Sequence, residues 1–177
     1  KAALKMTKKA LIAEILCTGE ELLLGDIVNT NAAFLSSELT KMGISVYHHS
    51  VVGDDASRLS DCVREGLSRS DIIVISGGLG PTKDDLTKET VGALFGREMK
   101  LHSESLEAIK AYFAKTGRVM SKNNEKQAMM PEGAIVFSNH YITFLLIFQY
   151  PARIFLKKFT KFLLRNSFIF EEMYAIL

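Results

Sequence analysis

The amino-acid sequence predicts an α/β protein of three layers, in which helices cover both faces of a mainly parallel sheet. Two observations predict it. Up to about residue 140, short apolar segments alternate with segments of helical periodicity, which is the pattern of repeated strand–helix units. The apolar segment 71–75 (DIIVI) has no polar alternation, as expected of a parallel strand that is buried on both faces. Ligands of such sheets bind at the carboxyl ends of the strands.

The elements follow one another in order along the chain. A first strand is predicted at 10–17, and Glu14 within it argues against a signal peptide, although lysines precede it. Asn29 or Thr30 caps the next helix, whose apolar residues recur at helical spacing until Gly43 ends it. The remaining predicted elements are a strand at 44–52, a helix opened by Asp54 and Asp55, a strand at 71–75, helices at 84–95, 103–115 and 121–129, and a strand at 134–137.

Composition sets the class of protein. The 177 residues suit one domain with a core of ordinary size, and a net charge of +2 gives no general attraction for nucleic acid. Cys17 and Cys62 lie far apart, and neither has a His or Cys partner at metal-ligand spacing. Both are interpreted as buried thiols of a cytoplasmic protein.

A glycine-rich loop between the strand at 71–75 and the next helix is the strongest chemical signal, with the sequence SGGLGPTKDDLT at 76–87. Glycine lets a backbone approach a ligand closely, and the N–H groups of such a loop and of the following helix can hold a phosphate. Of Asp84 and Asp85, one is suited to cap the helix and the other to hold Mg²⁺. Thr82 and Thr87 supply hydroxyl groups. The alternative is a tight turn with a helix cap and no ligand.

A second polar loop follows the first strand and spans residues 18–31. Its acids and amides are suited to bind a metal or a ribose, and the alternative is a solvated loop that ends in a helix cap. Because both loops follow strands of one parallel sheet, we expect them to share a pocket at the same sheet edge. The polar residues of this second loop include Glu20, Glu21, Asn29 and Asn31.

Four segments together resemble a known family: TGEELLLGDIVNTNAAFLSSEL at 18–39, VVGDD at 51–55, RSDIIVISGGLGPTKDDLTKET at 69–90 and SKNNEKQAMMPEGAIVFSN at 121–139. They are similar to the N-terminal domain of the CinA, or competence/damage-inducible, family, within the superfamily of molybdopterin-binding domains of molybdenum cofactor biosynthesis. The resemblance covers residues 8–140, and it implies a three-layer α/β/α fold with a mixed, mainly parallel sheet.

The resemblance also implies an activity. It implies hydrolysis of ADP-ribose or a similar pyrophosphate-linked nucleotide, with Mg²⁺ or Co²⁺ and potassium as cofactors. The alternative is a module that binds molybdopterin or a nucleotide without turnover. Neither a nucleic-acid nor a membrane partner is expected, whereas homo-oligomers are common among relatives. Carried onto this chain, the resemblance assigns phosphate contacts to Gly77, Gly78, Gly80 and Thr82. It assigns further ligand contacts to Gly19, Glu20, Asn29, Asn31 and Thr87. It assigns catalysis to Asp84 and Asp85, and metal binding to Asp84, Asp85 and Glu20 or Glu21.

Residues 141–177 depart from the family. This segment holds seven of the eleven Phe, five basic and two acidic residues, and no Gly. The glycine loop and the proline-rich loop that relatives carry here are missing, and no nicotinamide mononucleotide deamidation is expected of this chain. The composition is typical of an AT-rich stretch read out of frame, so a frameshift near residue 140 is the leading hypothesis. The alternatives are a divergent C-terminus with a strand at 141–148 and a helix at 153–165, or a basic amphipathic membrane-surface segment at 153–165.

Overall fold

The structure, a computed structural model, describes residues 10–138, 143–147 and 174–176. It confirms the α/β class with a mainly parallel central sheet. The strands are β1 (Ile12–Thr18), β2 (Ser45–Val52), β3 (Ile72–Ser76), β4 (Met99–Leu101), β5 (Met129–Pro131), β6 (Ile135–Ser138), β7 (Thr143–Ile147) and β8 (Tyr174–Ile176). The helices are α1 (Glu20–Leu24), α2 (Thr30–Lys41), α3 (Ala56–Arg69), α4 (Thr87–Leu94) and α5 (Ser103–Thr116), followed by a 3₁₀ helix (Lys122–Ala128).

The main sheet has the strand order β2-β1-β3-β8-β7-β6, and β1 runs parallel to both of its neighbours. Register places Thr18 opposite Val52 and Cys17 opposite Ser76, so the carboxyl ends of β2, β1 and β3 lie side by side. Strand β8 pairs antiparallel with β3 and parallel with β7, while β6 and β7 are antiparallel. The loops after the first three strands therefore open at one edge.

Side chains of β1 alternate between two apolar clusters. Ala13, Ile15 and Cys17 pack with α2 on one face of the sheet. Leu16 packs on the other face with Val63 of α3, Val91 of α4, and Ile73 and Ile75 of β3. Alternation with a period of two places successive side chains on opposite faces, and here both faces are covered by helices. The three-layer arrangement predicted from the sequence is thus present.

One buried charge interrupts this core. Glu14 is only 1% exposed, and its carboxylate accepts hydrogen bonds from Nε and a terminal nitrogen of Arg69 at 2.8 Å each and from Ser50 Oγ at 2.7 Å. The bidentate Arg69 contact lowers the pKa of Glu14 below its ordinary value. A β-carbon at Gly66 would lie 2.3 Å from Ile73 Cδ1 and 3.3 Å from Glu14 Oε2, so glycine lets α3 pack closely over this pair.

Several predicted boundaries were wrong, each for a local reason. The loop after β1 contains the short helix α1. Helix α4 begins at Thr87 instead of residue 84, because Asp85 closes a turn with Thr82 ahead of the helix. The helix predicted at 121–129 is a 3₁₀ helix that ends at Ala128, since Met129 already pairs with Leu101 in the two-stranded antiparallel sheet β4–β5.

The atypical C-terminal segment is described only at β7 and β8. Strand β7 falls within the strand predicted at 141–148. The helix or membrane-surface segment predicted at 153–165 lies outside the described residues, and the boundary at residue 140 stays a prediction. No helix in the described ranges is long and apolar enough to span a bilayer.

Candidate functional site

A pocket of about 250 Å³ lies at the carboxyl edge of the sheet, between the loop after β1 and the glycine-rich loop after β3. One part of its lining is apolar, with Leu22, Ile27 and Val28. The other part is polar and includes Ser76 and Gly77. The shared pocket predicted for these two loops is therefore present, and it offers an apolar wall beside hydrogen-bonding groups, the usual make-up of small-molecule sites.

The first two glycines of the glycine-rich loop are required by close approach to the end of β1. Gly77 and Gly78 have φ values of 101° and 71°. A β-carbon on Gly77 would lie 2.3 Å from the carbonyl oxygen of Thr18, and one on Gly78 would lie 2.2 Å from Thr87 Oγ1. Thr18 Oγ1 is buried against both positions and has no hydrogen-bond partner among the described residues.

Thr87 holds the glycine-rich loop onto helix α4. Its hydroxyl donates to the carbonyl oxygen of Gly77 at 2.9 Å, and its backbone N–H donates to that of Gly78 at 3.1 Å. The side chain is 2% exposed. In this structure the hydroxyl fixes the backbone of the loop, which is a different task from the direct ligand contact predicted for Thr87.

Asp85 organises the second half of the same loop. Its Oδ2 accepts hydrogen bonds from both the backbone N–H and the hydroxyl of Thr82, with the N–H at 2.8 Å. A β-carbon on Gly80 would lie 2.6 Å from that oxygen, so a larger residue at this position would displace the Asp85 carboxylate from its turn. Asp85 Oδ1 accepts no hydrogen bond from the described residues, and the neighbouring Asp84 is exposed.

The two asparagines of the first loop also have structural partners. Asn29 caps α2 by accepting from the backbone N–H of Ala32 at 3.0 Å, and it accepts a longer contact of 3.5 Å from Cys17 Sγ. Burial raises the pKa of the Cys17 thiol. Asn31 Nδ2 donates to Ser76 Oγ at 3.0 Å and so joins the first loop to the end of β3. Both asparagines thus shape the pocket wall.

Carboxylates from three loops influence one another at this edge. Burial raises the pKa of Asp54, and repulsion from Glu21, Glu20 and Asp84 raises it further, although a hydrogen bond from the Glu20 backbone acts in the opposite direction. The Glu20 carboxylate lies 3.0 Å from the place a β-carbon on Gly53 would occupy, next to Asp54. Negative charge therefore concentrates beside the glycine-rich loop.

Asp54 was missed as a site residue, because the pair at 54–55 was interpreted only as the start of a helix. In the structure the two residues have different roles. Asp55 caps α3 by accepting a hydrogen bond from the backbone N–H of Arg58 at 2.8 Å, whereas Asp54 lies at the carboxyl edge of the sheet. The sequence signal that could have identified Asp54 is its position in the loop after β2, which corresponds to the positions of the other site residues in the loops after β1 and β3.

The described residues contain no group of three His, Cys, Asp or Glu side chains that would form a ready metal cage. A cation bound through one or two carboxylates, with phosphate oxygens and water completing its coordination, is the usual arrangement of Mg²⁺. The separated carboxylates of this edge fit that kind of site, since their mutual repulsion is relieved by a cation.

Two lysines connect the glycine-rich loop to the 3₁₀ helix behind it. Lys88 is 1% exposed, and its Nζ donates to the carbonyl oxygens of Lys126 at 2.9 Å and Gln127 at 3.0 Å. Burial lowers the pKa of Lys88 to about 8. Lys126 Nζ in turn donates to the carbonyl oxygens of Thr82, at 2.7 Å, and Asp85. The solvated helical face predicted for 122–127 is thus only partly present.

Comparison with known proteins assigns the chain to a family. The profile of a family described as a probable molybdopterin binding domain matches residues 14–143. The chain belongs to this family. The CinA resemblance is confirmed as well, because curated relatives are named putative competence-damage inducible proteins. One from Clostridium tetani (strain Massachusetts / E88) is 56% identical over 131 residues, which is 74% of this chain and 32% of that protein.

A second relative and a solved structure complete the comparison. The relative from Geobacillus kaustophilus (strain HTA426) is 46% identical over an alignment of 174 positions, which covers 90% of this chain and 42% of that protein. The chain thus spans between 32% and 42% of the length of these two relatives. The crystal structure of CinA from Thermoplasma acidophilum, described as having unknown function, has a TM-score of 0.70 and 28% identity, over 90% of this chain and 99% of that one.

Proposed function

We propose that this molybdopterin-binding-type domain holds a pyrophosphate-linked nucleotide at the carboxyl edge of its sheet and hydrolyses it with the help of a divalent metal, with ADP-ribose as the leading substrate. The observation that carries the proposal is the meeting of three loops, after β1, β2 and β3, which combines a close-packed glycine loop with carboxylates from each loop. Both cysteines are free thiols, which suits action in the reducing cytoplasm.

The pocket and the glycine-rich loop suggest how the ligand lies. The apolar wall of Leu22, Ile27 and Val28 suits a flat heterocycle, and Asn31 and Ser76 border it with polar groups. Gly77 adjoins the pocket at its polar end, where backbone N–H groups that approach a ligand without side chains suit a phosphate. In this arrangement the pyrophosphate lies toward the acidic residues.

The carboxylates have two proposed roles, metal binding and proton transfer. Asp84, Glu20 and the free oxygen of Asp85 are the proposed holders of Mg²⁺ or Co²⁺, with potassium as an additional cofactor. A bound divalent ion supplies charge neutralisation on the phosphates and a more acidic water. Asp54 is the proposed acceptor of the proton from the attacking water, because it lies beside the other carboxylates on a separate loop and burial raises the pKa of its carboxyl above the ordinary value.

The test is ADP-ribose hydrolysis by the purified full chain, followed by AMP release with and without added Mg²⁺ or Co²⁺. Metal-dependent AMP that is lost in Asp84→Ala supports the proposal. No AMP from a folded, monodisperse sample contradicts it. The matched control is Asp71→Ala, an exposed acid at the opposite end of β3, which leaves turnover unchanged if the effect belongs to the site.

A second candidate function is binding without turnover, of molybdopterin or a nucleotide. One observation favours it: the family is described as a probable molybdopterin binding domain. Calorimetric titration with ADP-ribose in the presence of a chelator separates the two functions. Binding that persists without metal, together with absent hydrolysis, favours the module that only binds.

A further inference from the structure

The segment 121–128 bonds to the glycine-rich loop at a distance from the pocket lining. Lys126 Nζ donates to the carbonyl oxygens of Thr82 and Asp85, the two residues whose side chains close the turn of that loop. One ammonium group therefore joins both ends of the turn. Backbone carbonyl oxygens in an exposed loop ordinarily accept hydrogen bonds from water. A lysine that donates hydrogen bonds to two of them therefore restricts the conformation of the loop.

A second lysine connects the 3₁₀ helix to helix α4. Lys88, on the helix that follows the loop, donates from its buried Nζ to the carbonyl oxygens of Lys126 and Gln127. Helix α4 thus holds the backbone of the 3₁₀ helix, and the 3₁₀ helix holds the glycine-rich loop. Glu89, also on α4, lies 3.9 Å from Lys126 Nζ and adds a weaker ionic contact. We call Lys88 and Lys126 the two-lysine clasp.

The clasp has a specific place relative to the proposed chemistry. Thr82 and Asp85 lie on either side of Asp84, so the backbone of that carboxylate is fixed from both sides. Thr87, directly after the clasped segment, secures Gly77 and Gly78. With Lys126 removed, the stretch 79–86 keeps its internal Thr82–Asp85 turn and the buried Leu79, but the backbone of Thr82 and Asp85 loses its hydrogen bonds to the 3₁₀ helix.

We propose that Lys126 is a positioning residue, which holds the glycine-rich loop in the conformation that receives the phosphates without touching the ligand itself. This inference rests on the proposed function for the identity of the ligand. The positioning of the loop is measurable without any ligand, so the two can fail separately.

The experiment compares the full chain with Lys126→Met, Lys126→Arg and Lys122→Met. Lys122 is exposed in the same 3₁₀ helix and makes no hydrogen bond or ion pair with the described residues, which makes it the matched control. Three quantities are measured: amide hydrogen exchange of residues 78–87, ADP-ribose affinity by calorimetry, and the melting temperature. The backbone N–H groups of Thr82 and Thr87 are the reporters, because both are hydrogen-bonded within the loop.

For Lys126→Met we expect loop exchange about tenfold faster and ADP-ribose affinity about tenfold weaker, the size that loss of one or two hydrogen bonds gives. Amide exchange in β1 and β3 stays as in the wild type. Lys126→Arg recovers part of the lost exchange protection and part of the lost affinity, and Lys122→Met behaves as the wild type.

Unchanged loop exchange in Lys126→Met overturns the inference, as does an acceleration shared by the whole domain. Loop exchange that accelerates while even the wild type binds no ADP-ribose supports the clasp and counts against the proposed function. Faster exchange with unaltered ADP-ribose affinity shows that the ligand does not need the clasped conformation, and it overturns the inference.

Discussion

Gly78 shows at the scale of one residue how closely the glycine-rich loop is packed. Its φ is 71°, and a β-carbon would lie 2.2 Å from Thr87 Oγ1 and 3.0 Å from Thr18 Oγ1. The sequence predicted glycines here for access to a ligand. The structure adds that glycine is needed to fit the loop against β1 at all, which the sequence could not show because the neighbours of Gly78 come from two other elements.

We predict that Gly78→Ala lowers the free energy of unfolding by about 1–3 kcal/mol, through the clash and the strained backbone together. The matched control is Gly96→Ala, which has a similar φ of 63° but open space around its β-carbon, and which therefore carries the backbone penalty alone. Urea unfolding of both variants measures the difference. A Gly78→Ala protein as stable as Gly96→Ala would contradict the packing described here.

Glu14 gives a prediction about acid. The folded-state pKa of Glu14 is lowered from its ordinary value of 4.5, chiefly by Arg69, so its ion pair stabilises the fold above that value and is lost as pH falls through the lowered pKa. We expect the wild type to lose its stability advantage over Glu14→Gln as the pH is lowered from 7 to below about 4. Urea unfolding across this range checks it, and a constant difference between the two proteins would refute it.

At the scale of elements, prediction succeeded where apolar periodicity is long and failed where side chains close short turns. The strand 10–17 and the helix that opens at Asn29 or Thr30 were placed within two residues, because an uninterrupted apolar run or a capped amphipathic helix leaves few alternatives. Helix α4 begins three residues later than predicted, because Asp85 closes a turn with Thr82 ahead of it. The helix predicted at 121–129 was placed within one residue, but it is a 3₁₀ helix that ends where Met129 pairs with Leu101.

The helix α4 carries a prediction for alkaline pH. Folding lowers the pKa of Lys88 from 10.5 to about 8, so between these values the unfolded chain binds more protons than the folded one, and stability rises with pH. Relative to Lys88→Met, the wild type should gain up to about 3 kcal/mol of unfolding free energy between pH 7.5 and 10.5.

Unfolding in urea at several pH values measures this gain for the pair of proteins. Lys122→Met, which changes an exposed lysine, serves as the control and should keep a constant difference from the wild type. A wild type that does not gain on Lys88→Met would mean that the two carbonyl contacts of the ammonium offset its burial.

At the scale of the whole molecule, the parallel arrangement of β1, β2 and β3 was predictable, and so was the shared edge of their loops. The insertion of β8 between β3 and β7 was not, since it pairs residues about a hundred positions apart in the sequence. For the same reason the approach of Asp54 to Glu20 and Asp84 was missed: it depends on register between strands. Homo-oligomer formation and the frameshift near residue 140 stay predictions.

Three loops at the carboxyl edge are proposed to form one hydrolytic site, and Asp54 is its sharpest probe because it comes from the loop that the sequence did not assign to the site. The measurement is metal-dependent AMP release from ADP-ribose by the full chain, by Asp54→Asn and by Asp61→Asn, an exposed acid on α3. We predict that Asp54→Asn loses about 100-fold in kcat, the scale of general base catalysis, while Asp61→Asn retains wild-type turnover. Wild-type turnover by a folded Asp54→Asn protein would contradict the claim.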